Sequence, residues 1–357
     1  MFKAYKFRLY PNKEQQEFFA KNFGCVRFIY NKMLADKIEH YEKTGEMLNN
    51  TPAQYKKEYP WLKEVDSLAL SNARLNLNKA YRNFFRDKSV GFPRFKSKKI
   101  NRHSYTTNNQ KGTVRIEDGY IKLPKLKSMV KIVQHREFDG EIRSCTVSKT
   151  PTNKYYISIL VDEDIKQLPK NNKKVGIDLG IKNFAVTSDG EVFENLEWLK
   201  KSEKRLAKLQ RDLSRKKKGS RNREKARLKF AKLHEKIANQ REDYLHKVAS
   251  KIINENQVIV LEDLKVSDML ENHRLAKAIS EVSWFEFRKQ LEYKAEWYGR
   301  EIIIAPANYP SSQLCSSCGY KNPEVKNLAL RKWTCPQCGT HHDRDANASK
   351  NLLKLAM

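Results

Sequence analysis

Apolar and polar side chains alternate from the start of the chain. Tyr5, Phe7 and Leu9 against Lys6 and Arg8 predict a half-buried strand over Lys3–Tyr10. Pro11-Asn12 ends it and the period changes. Phe18, Phe19, Phe23, Val26, Ile29, Tyr30 and Leu34 recur at helical spacing over Lys13–Leu34, a stripe that reads as core. Ser67–Phe85 is a second helical stretch, with Leu70, Leu77 and Tyr81 on one side and Arg and Asn on the other. From Val114 to Val161, segments such as RIEDGYIKL and YYISILV predict strands, with turns at Asp118-Gly119 and Asp139-Gly140. The N-terminal half, residues 1–165, therefore reads as strand, helices, then strands, an order that suits a β-barrel interrupted by a helical insertion.

After a linker, IKQLPKNNKK, the pattern shifts. VGIDLGIKNFAV and EVF predict closely spaced strands around a Ser188-Asp189-Gly190 turn. Leu206, Leu209 and Leu213, then Leu228 and Leu233, predict two helices joined around KKKGSRN. QVIVLEDL and REIIIAP predict further strands on either side of a Ser283–Tyr298 helix, and a last short helix starts near Asp345. No internal repeat or long low-complexity tract interrupts this plan.

Charge changes the picture. Lys and Arg number 71 against 42 Asp and Glu, a formal charge of +29 with a pI near 9.7. A compact chain repels itself at that charge unless a polyanion binds, and nucleic acid is the usual one. Residues 200–233 alone hold 16 Lys and Arg with three acids, more than solubility requires, so Lys216, Lys217, Lys218 and Arg221 are candidate phosphate contacts. A basic stretch among aromatics, GFPRFKSKKINRHSY, adds Arg94, Lys96, Lys98, Lys99 and Arg102. A membrane-surface role would want a basic amphipathic helix with an aromatic anchor, and none is found. No apolar run approaches the roughly 18 residues of a spanning helix. The start MFKAYKFRLY holds no hydrophobic signal core, which points to the cytoplasm. Hydrophobic residues at 39% are enough for folded domains.

Two acids stand where acids are costly. Asp178 lies inside the apolar strand VGIDLG, and Glu262 directly follows Val258-Ile259-Val260-Leu261, a run expected of a strand buried on both faces. Such a carboxylate needs a partner, a hydrogen bond or a metal. Any one acid alone reads as a satisfied structural carboxylate. With an aspartate of DRDAN, three acids fall at strand ends or a helix start, far apart along the chain. Their order fits a ribonuclease H-like sheet, in which such a cluster binds two Mg²⁺ ions about 4 Å apart for phosphodiester hydrolysis. GIDLG also resembles the first phosphate loop of the actin and heat-shock ATPases, but their second, similar half is missing here.

Cys315-x-x-Cys318 and Cys335-x-x-Cys338 match a four-thiolate zinc ribbon, with Gly319 and Gly339 where each knuckle wants positive φ. Four thiolates close the tetrahedron, so the zinc is structural; His341 and His342 could serve as spare ligands, but with four cysteines present they are expected to face solvent or DNA. Cys25 and Cys145 stand alone and read as core residues.

YKFRLYPNKEQQEFF, the Asp of VGIDLGIKNFAV, the Glu of VIVLEDL and YPSSQLCSSCG…CPQCGTHHDRDANAS together resemble the TnpB (OrfB) family over essentially the whole chain. These are transposon-encoded RNA-guided DNA endonucleases related to type V CRISPR effectors. The resemblance implies an α/β ribonuclease H-like (RuvC) nuclease domain with an inserted zinc ribbon, preceded by a wedge β-barrel with a helical recognition insertion. Placed on this chain, the wedge takes 1–12 and 88–165, the recognition helices 13–87, the nuclease 166–310 and 341–357 with a basic hairpin at 200–250, and the ribbon 311–340. It further implies catalytic Mg²⁺ (with Mn²⁺ as substitute) on Asp178, Glu262 and Asp345, Asp345 being chosen because it heads the helix and precedes Asn347, with Asp343 as the fallback. A guide RNA from the transposon end, target DNA with a short flanking motif and a cytoplasmic, nucleoid-associated prokaryotic setting follow as well. Asn72, Asn76 and Lys79 on the Ser67–Phe85 helix are candidate readers of the flanking motif. The competing functions are an RNA-guided repressor or transposition regulator without nuclease activity, a transposase using three carboxylates, and a zinc-ribbon transcription factor. The last leaves Asp178 and Glu262 unexplained, and the ribbon's place before the DRD helix favours the nuclease over the transposase.

Overall fold

The structure, a computed structural model, describes residues 1–357 except 101–102, 267–268, 270 and 272–275, and the Ile100 side chain. The chain divides into two compact units, Met1–Asp164 and Ile165–Met357.

In the first unit β1 (Phe2–Tyr10) leads into α1 (Lys13–Thr44), which runs well beyond the expected stop at Leu34 because its apolar stripe continues and Gly45, at φ 73°, closes it. Asn12 caps it in a reciprocal box with Gln15. A short helix, α2 (Tyr55–Glu58), and α3 (Ser67–Arg86) complete the helical insertion. Six strands follow: β2 (His103–Asn108), β3 (Arg115–Glu117), β4 (Tyr120–Lys122), β5 (Val130–Val133), β6 (Glu141–Lys149) and β7 (Tyr155–Asp162). With β1 they form an antiparallel sheet in the order β2-β6-β7-β1-β5-β4-β3. No ladder among the described residues joins β2 to β3, so the expected barrel appears as an open run of strands. Its inner face shares one core with α1 and α3, including Phe7, Phe19, Ile29, Leu70 and Ile157. Cys25 and Cys145 lie in that core, where burial pushes their thiols up to about 11 and about 12, too high for reactivity at neutral pH.

The second unit is built on a five-stranded sheet of β8 (Lys174–Leu179), β9 (Asn183–Thr187), β10 (Val192–Glu194), β11 (Val258–Leu261) and β12 (Glu301–Ile304). Its order is β10-β9-β8-β11-β12, with β9 antiparallel to both of its neighbours, β10 and β8, and β8, β11 and β12 parallel. Between β10 and β11 the chain makes the basic hairpin, α4 (Trp198–Ser214) and α5 (Arg221–Glu255). Side chains alternate across the sheet. Val175, Ile177, Ile259 and Leu261 point into a core with Val248 and Ile252 of α5 and Phe287 and Leu291 of the Trp284–Tyr298 helix. Val260 points to the other face, onto Leu352 of the C-terminal helix Arg344–Leu353. Both faces are covered, which is why β11 reads as an unbroken apolar run. A small ladder of β13 (Lys332–Thr334) and β14 (His341–Asp343) belongs to the cysteine segment. No helix among the described residues is long and apolar enough to cross a membrane.

Candidate functional site

The parallel register brings two of the acids together. Leu261 of β11 lies beside Ile177 of β8, so the next step along the pair sets Glu262 beside Asp178, at the roughly 4.8 Å spacing of neighbouring strands. Both stand at the carboxyl ends of their strands, where open α/β sheets place ligands. By the alternation, Asp178 shares the face of Gly176 and Glu262 that of Val260, the side covered by the C-terminal helix.

Gly176 sets how close that helix comes. A Cβ there would lie 2.1 Å from the Ser349 carbonyl oxygen and 2.5 Å from the Leu353 amide nitrogen. Backbone therefore rests on backbone. One turn before Ser349, the same helix carries Asp345, whose charge acts on both Asp178 and Glu262. Asp343 does a different job: it is the N-cap, its Oδ1 accepting from the amides of Asp345 at 3.1 Å and Ala346 at 3.2 Å.

The electrostatics record the crowding. Burial first, then the charges of Glu262 and Asp345, push Asp178 well above the usual carboxylate range, against the pull of Arg344 and Arg331. Burial also raises Glu262, opposed by a hydrogen bond from Ser311 and by Arg344. Asp345 turns one oxygen to the Arg331 guanidinium at 3.2 Å. Ser311 Oγ donates to Glu262 Oε1 at 2.5 Å. Neither Arg331 nor Ser311 is visible from sequence spacing, because each acts on a residue distant in sequence. A cavity of about 500 Å³ opens beside Glu262, walled in part by Leu261, Trp284 and Phe285.

The cysteines form the second cluster. All four Sγ atoms lie within 4.8 Å of one another, with Cys315–Cys338 and Cys318–Cys335 both at 3.6 Å. A tetrahedron with metal–sulfur bonds of about 2.3 Å has sulfurs about 3.8 Å apart, so these residues fit a metal such as zinc. The two knuckles are alike: Gly319 N–H donates to the Cys315 carbonyl and Gly339 N–H to that of Cys335, each at 2.9 Å, with φ of 79° and 72°. The crowded thiols hold each other's protons: hydrogen bonds from the Thr340 hydroxyl and amide lower Cys338 to about 6, while Cys318 is pushed up to about 12. His342 departs from expectation. It is buried against Trp333, with Nε2 3.0 Å from Cys315 Sγ, because β14 pairing turns it inward beside the knuckle. His341 is exposed and bonded to Thr334. Among the described residues, the four thiols are the one set of three or more His, Cys, Asp or Glu gathered closely enough to hold an ion as it stands.

The basic candidates divide by environment. Lys216, Lys217, Lys218 and Arg221 are exposed at the tip of the α4–α5 hairpin. Arg223, which spacing does not single out, staples that tip by donating to the carbonyls of Leu213 at 2.8 Å and Lys216 at 3.0 Å. In the first unit Arg94, Lys98, Lys99, Asn76 and Lys79 are exposed. Lys96 is exposed as well, but it is engaged: its ammonium sits 4.0 Å over the Tyr30 ring and Asn31 holds its backbone. Asn72 Nδ2 donates to Leu68 and Asn108, so that side chain serves the local structure. Arg102 lies outside the described residues.

With this geometry established, known proteins are informative. A family model for OrfB of IS605 elements, described as "Probable transposase", matches residues 156–273, and one described as "Cas12f1-like, TNB domain" matches 284–352. A third, "Helix-turn-helix domain" of OrfB, matches 1–46, which here form one strand and one long helix. A "Putative RNA-guided DNA endonuclease" of Streptomyces pristinaespiralis is 39% identical, covering 99% of this chain and 89% of its own. "Putative RNA-guided DNA endonuclease InsQ" of Escherichia coli K12 is 34% identical, covering 98% and 91%. The Cas12f1 chain of a Cas12f1–sgRNA–target DNA complex superposes with a TM-score of 0.60 at 16% identity, over 96% of this chain and 83% of that one, which establishes a common fold. Whole-length identity to these relatives, together with the OrfB models, places this chain in the OrfB family of IS605 transposons, the TnpB proteins.

Proposed function

We propose that this protein is an RNA-guided, Mg²⁺-dependent DNA endonuclease that holds a guide RNA from its transposon end and cuts complementary DNA beside a short flanking motif. One observation carries the reading: Asp178 and Glu262 stand at the carboxyl ends of neighbouring strands of the β10-β9-β8-β11-β12 sheet, and the charge of Asp345, far away in sequence, acts on both. An Asp on the first strand, a Glu at the end of the fourth and an Asp on the closing helix support a ribonuclease H-like (RuvC) nuclease, with the Cys315–Cys338 segment as its zinc ribbon. The seven-stranded sheet and helices α1 to α3 then take the wedge and recognition roles, and the relatives' printed names supply RNA guidance and DNA cleavage.

The donor set fits the metal proposed. Three carboxylates offer only hard oxygen ligands, which suit Mg²⁺ or Mn²⁺. A divalent cation held there would supply Lewis acidity toward the phosphodiester and acidify the attacking water. The chain's own residues do the remainder. Asp178 presents its carboxylate from a strand buried on both sides, Ser311 orients Glu262, and Arg331 neutralises Asp345 until a stronger cation competes. Asp178 and Glu262 must surrender their protons for this role, since burial and repulsion favour the neutral acids. The exposed lysines of the α4–α5 tip contact phosphate without reading sequence, which base pairing with the guide does.

The test is reconstitution with the RNA that copurifies. Wild-type protein with Mg²⁺ should cut guide-matched DNA beside its motif. Asp178→Ala, Glu262→Ala and Asp345→Ala should each abolish cutting and leave guided binding intact, because the ligands act as a unit. Asp343→Ala should cost about 1 kcal/mol of helix stability yet cut, since that residue caps the helix. Guided binding without cutting by the wild type, in Mg²⁺ or Mn²⁺, would replace the nuclease with a repressor.

A further inference from the structure

Between β12 and the first knuckle the chain makes a tight loop, Tyr309–Ser316, in which the Gln313 and Leu314 amides both donate to the Pro310 carbonyl. The C-terminal helix grips this loop with two buried asparagines one turn apart. Asn351 Nδ2 donates to the carbonyls of Ser311 at 2.8 Å and Leu314 at 2.6 Å. Asn347 Nδ2 donates to the Leu314 carbonyl at 2.6 Å, and its Oδ1 accepts the Ser316 amide at 2.9 Å. Tyr309 closes the grip by donating its hydroxyl to the Asn351 carbonyl at 3.0 Å. Asn347, Asn351 and Ser311 are 2%, 1% and 4% exposed, so solvent does not substitute for these bonds.

Inside that grip, Ser311 spends its single hydroxyl proton on Glu262. Glu262 has no strand beyond it to fix its side chain: β11 ends at Leu261. The helix that delivers Asp345 also fixes the loop that aims Glu262. We propose that Ser311, held in register by Asn351, is a positioning residue that presents Glu262 to the divalent cation, so that the C-terminal helix sets two of the three carboxylates at once. The inference rests on the nuclease reading above, in which Glu262 is a metal ligand. Partners that orient a metal-binding carboxylate commonly contribute about 10- to 100-fold in metal affinity. Ser311 qualifies by geometry: it reaches one oxygen of Glu262, the other remains for a ligand role, and its hydrogen bond becomes charge-assisted once Glu262 gives up its proton to bind the cation.

The experiment is titration of the full-length protein with Mn²⁺ alone, followed by electron paramagnetic resonance, alongside Mg²⁺-dependent cutting in the reconstituted complex. Ser311→Ala should weaken Mn²⁺ binding at least tenfold and shift the Mg²⁺ requirement for cutting by a similar factor, with most of the rate recovered at saturating Mg²⁺. Ser311→Thr, which keeps the hydroxyl, should bind Mn²⁺ within about threefold of the wild type. Asn351→Ala should reproduce the Ser311→Ala shift with the cysteine-bound metal content unchanged. A purely structural role predicts the reverse: a lower melting temperature in Ser311→Ala with Mn²⁺ affinity unmoved, which overturns the proposal. Glu262→Ala separates the two readings. If it leaves Mn²⁺ binding intact, the metal-ligand reading of Glu262 falls and the positioning role with it. If it abolishes binding while Ser311→Ala does not, the positioning role alone fails.

Discussion

Gly176→Ala is the smallest change that should disrupt the candidate centre without touching a charged group. The added Cβ would stand 2.1 Å from a backbone oxygen of the C-terminal helix, whereas ordinary contact begins near 3.4 Å, so the helix must retreat by the difference. No side chain can rotate away to absorb it, because the atoms met belong to Ser349 and Leu353 backbone. Overpacking of this kind costs about 1–3 kcal/mol. In a unit of this size that lowers the melting temperature by about 2–12 °C. The effect on chemistry should be larger, since a displacement of about 1 Å in a positioned group costs on the order of 10²-fold in rate. Differential scanning calorimetry and single-turnover cutting, run on the same preparation, measure the two effects. Gly24→Ala is the opposing control. Its Cβ meets nothing within 4 Å in the middle of α1, and it should stabilise by about 0.5–1 kcal/mol. A Gly176→Ala protein that melts and cuts like the wild type would refute the claim that backbone contact at this glycine positions Asp345.

Cys335→Ser should release the ribbon's metal and lower stability, because structural zinc contributes folding free energy; metal analysis showing none in the wild type would end that reading. Neutralising Lys216, Lys217, Lys218 and Arg221 together should weaken RNA binding and flatten its salt dependence by about one unit of log–log slope for each phosphate interaction removed, and an unchanged slope would return these residues to a solvated surface. The metal-free protein should lose stability as pH rises above about 4, because folded Asp178 and Glu262 retain protons that the unfolded chain releases there. Asp178→Asn should remove most of that slope and raise the melting temperature while abolishing cutting; calorimetry from about pH 4 to 8 that shows no difference from wild type would contradict the raised values.

What the sequence makes legible is local. Alternation locates β1 and β8, helical spacing locates α1 and α3, and two C-x-x-C pairs locate the knuckles, since each pattern is a direct imprint of a backbone period or a turn. Asp178 and Glu262 stand out because an acid at the end of a buried strand is costly wherever it occurs. Their partners do not stand out. In VGIDLG the close approach belongs to Gly176 and depends on a helix at the far end of the chain, so nothing in the local pattern marks it. Ser311, Asn347 and Asn351 look like ordinary polar residues of a loop and a helix, and only the folded contact gives them work. His342 reads as outward-facing because four cysteines already complete a tetrahedron, but pairing in β14 fixes its side, not ligand counting. Arg331 escapes notice for the same reason: an ion pair across a hairpin leaves no period in the sequence.

The two clusters differ in a way that follows from how each is supported. Each knuckle holds its thiols with backbone hydrogen bonds between near neighbours in sequence, so the sulfurs reach tetrahedral spacing from local structure. The carboxylates come from a strand, a strand end and a helix, and two of their heads are engaged elsewhere, Glu262 with Ser311 and Asp345 with Arg331. Soft donors in a closed cage suit an ion that stays; hard donors that must exchange a partner to bind suit one that arrives with substrate phosphate and keeps several waters. On the proposed reading, Cys338 and Asp345 are close neighbours in sequence and serve opposite ends of that contrast. On that reading the ribbon also links the two elements through which Ser311 and Asp345 approach the sheet, since the chain runs from the loop into its first knuckle and from β14 directly into the C-terminal helix.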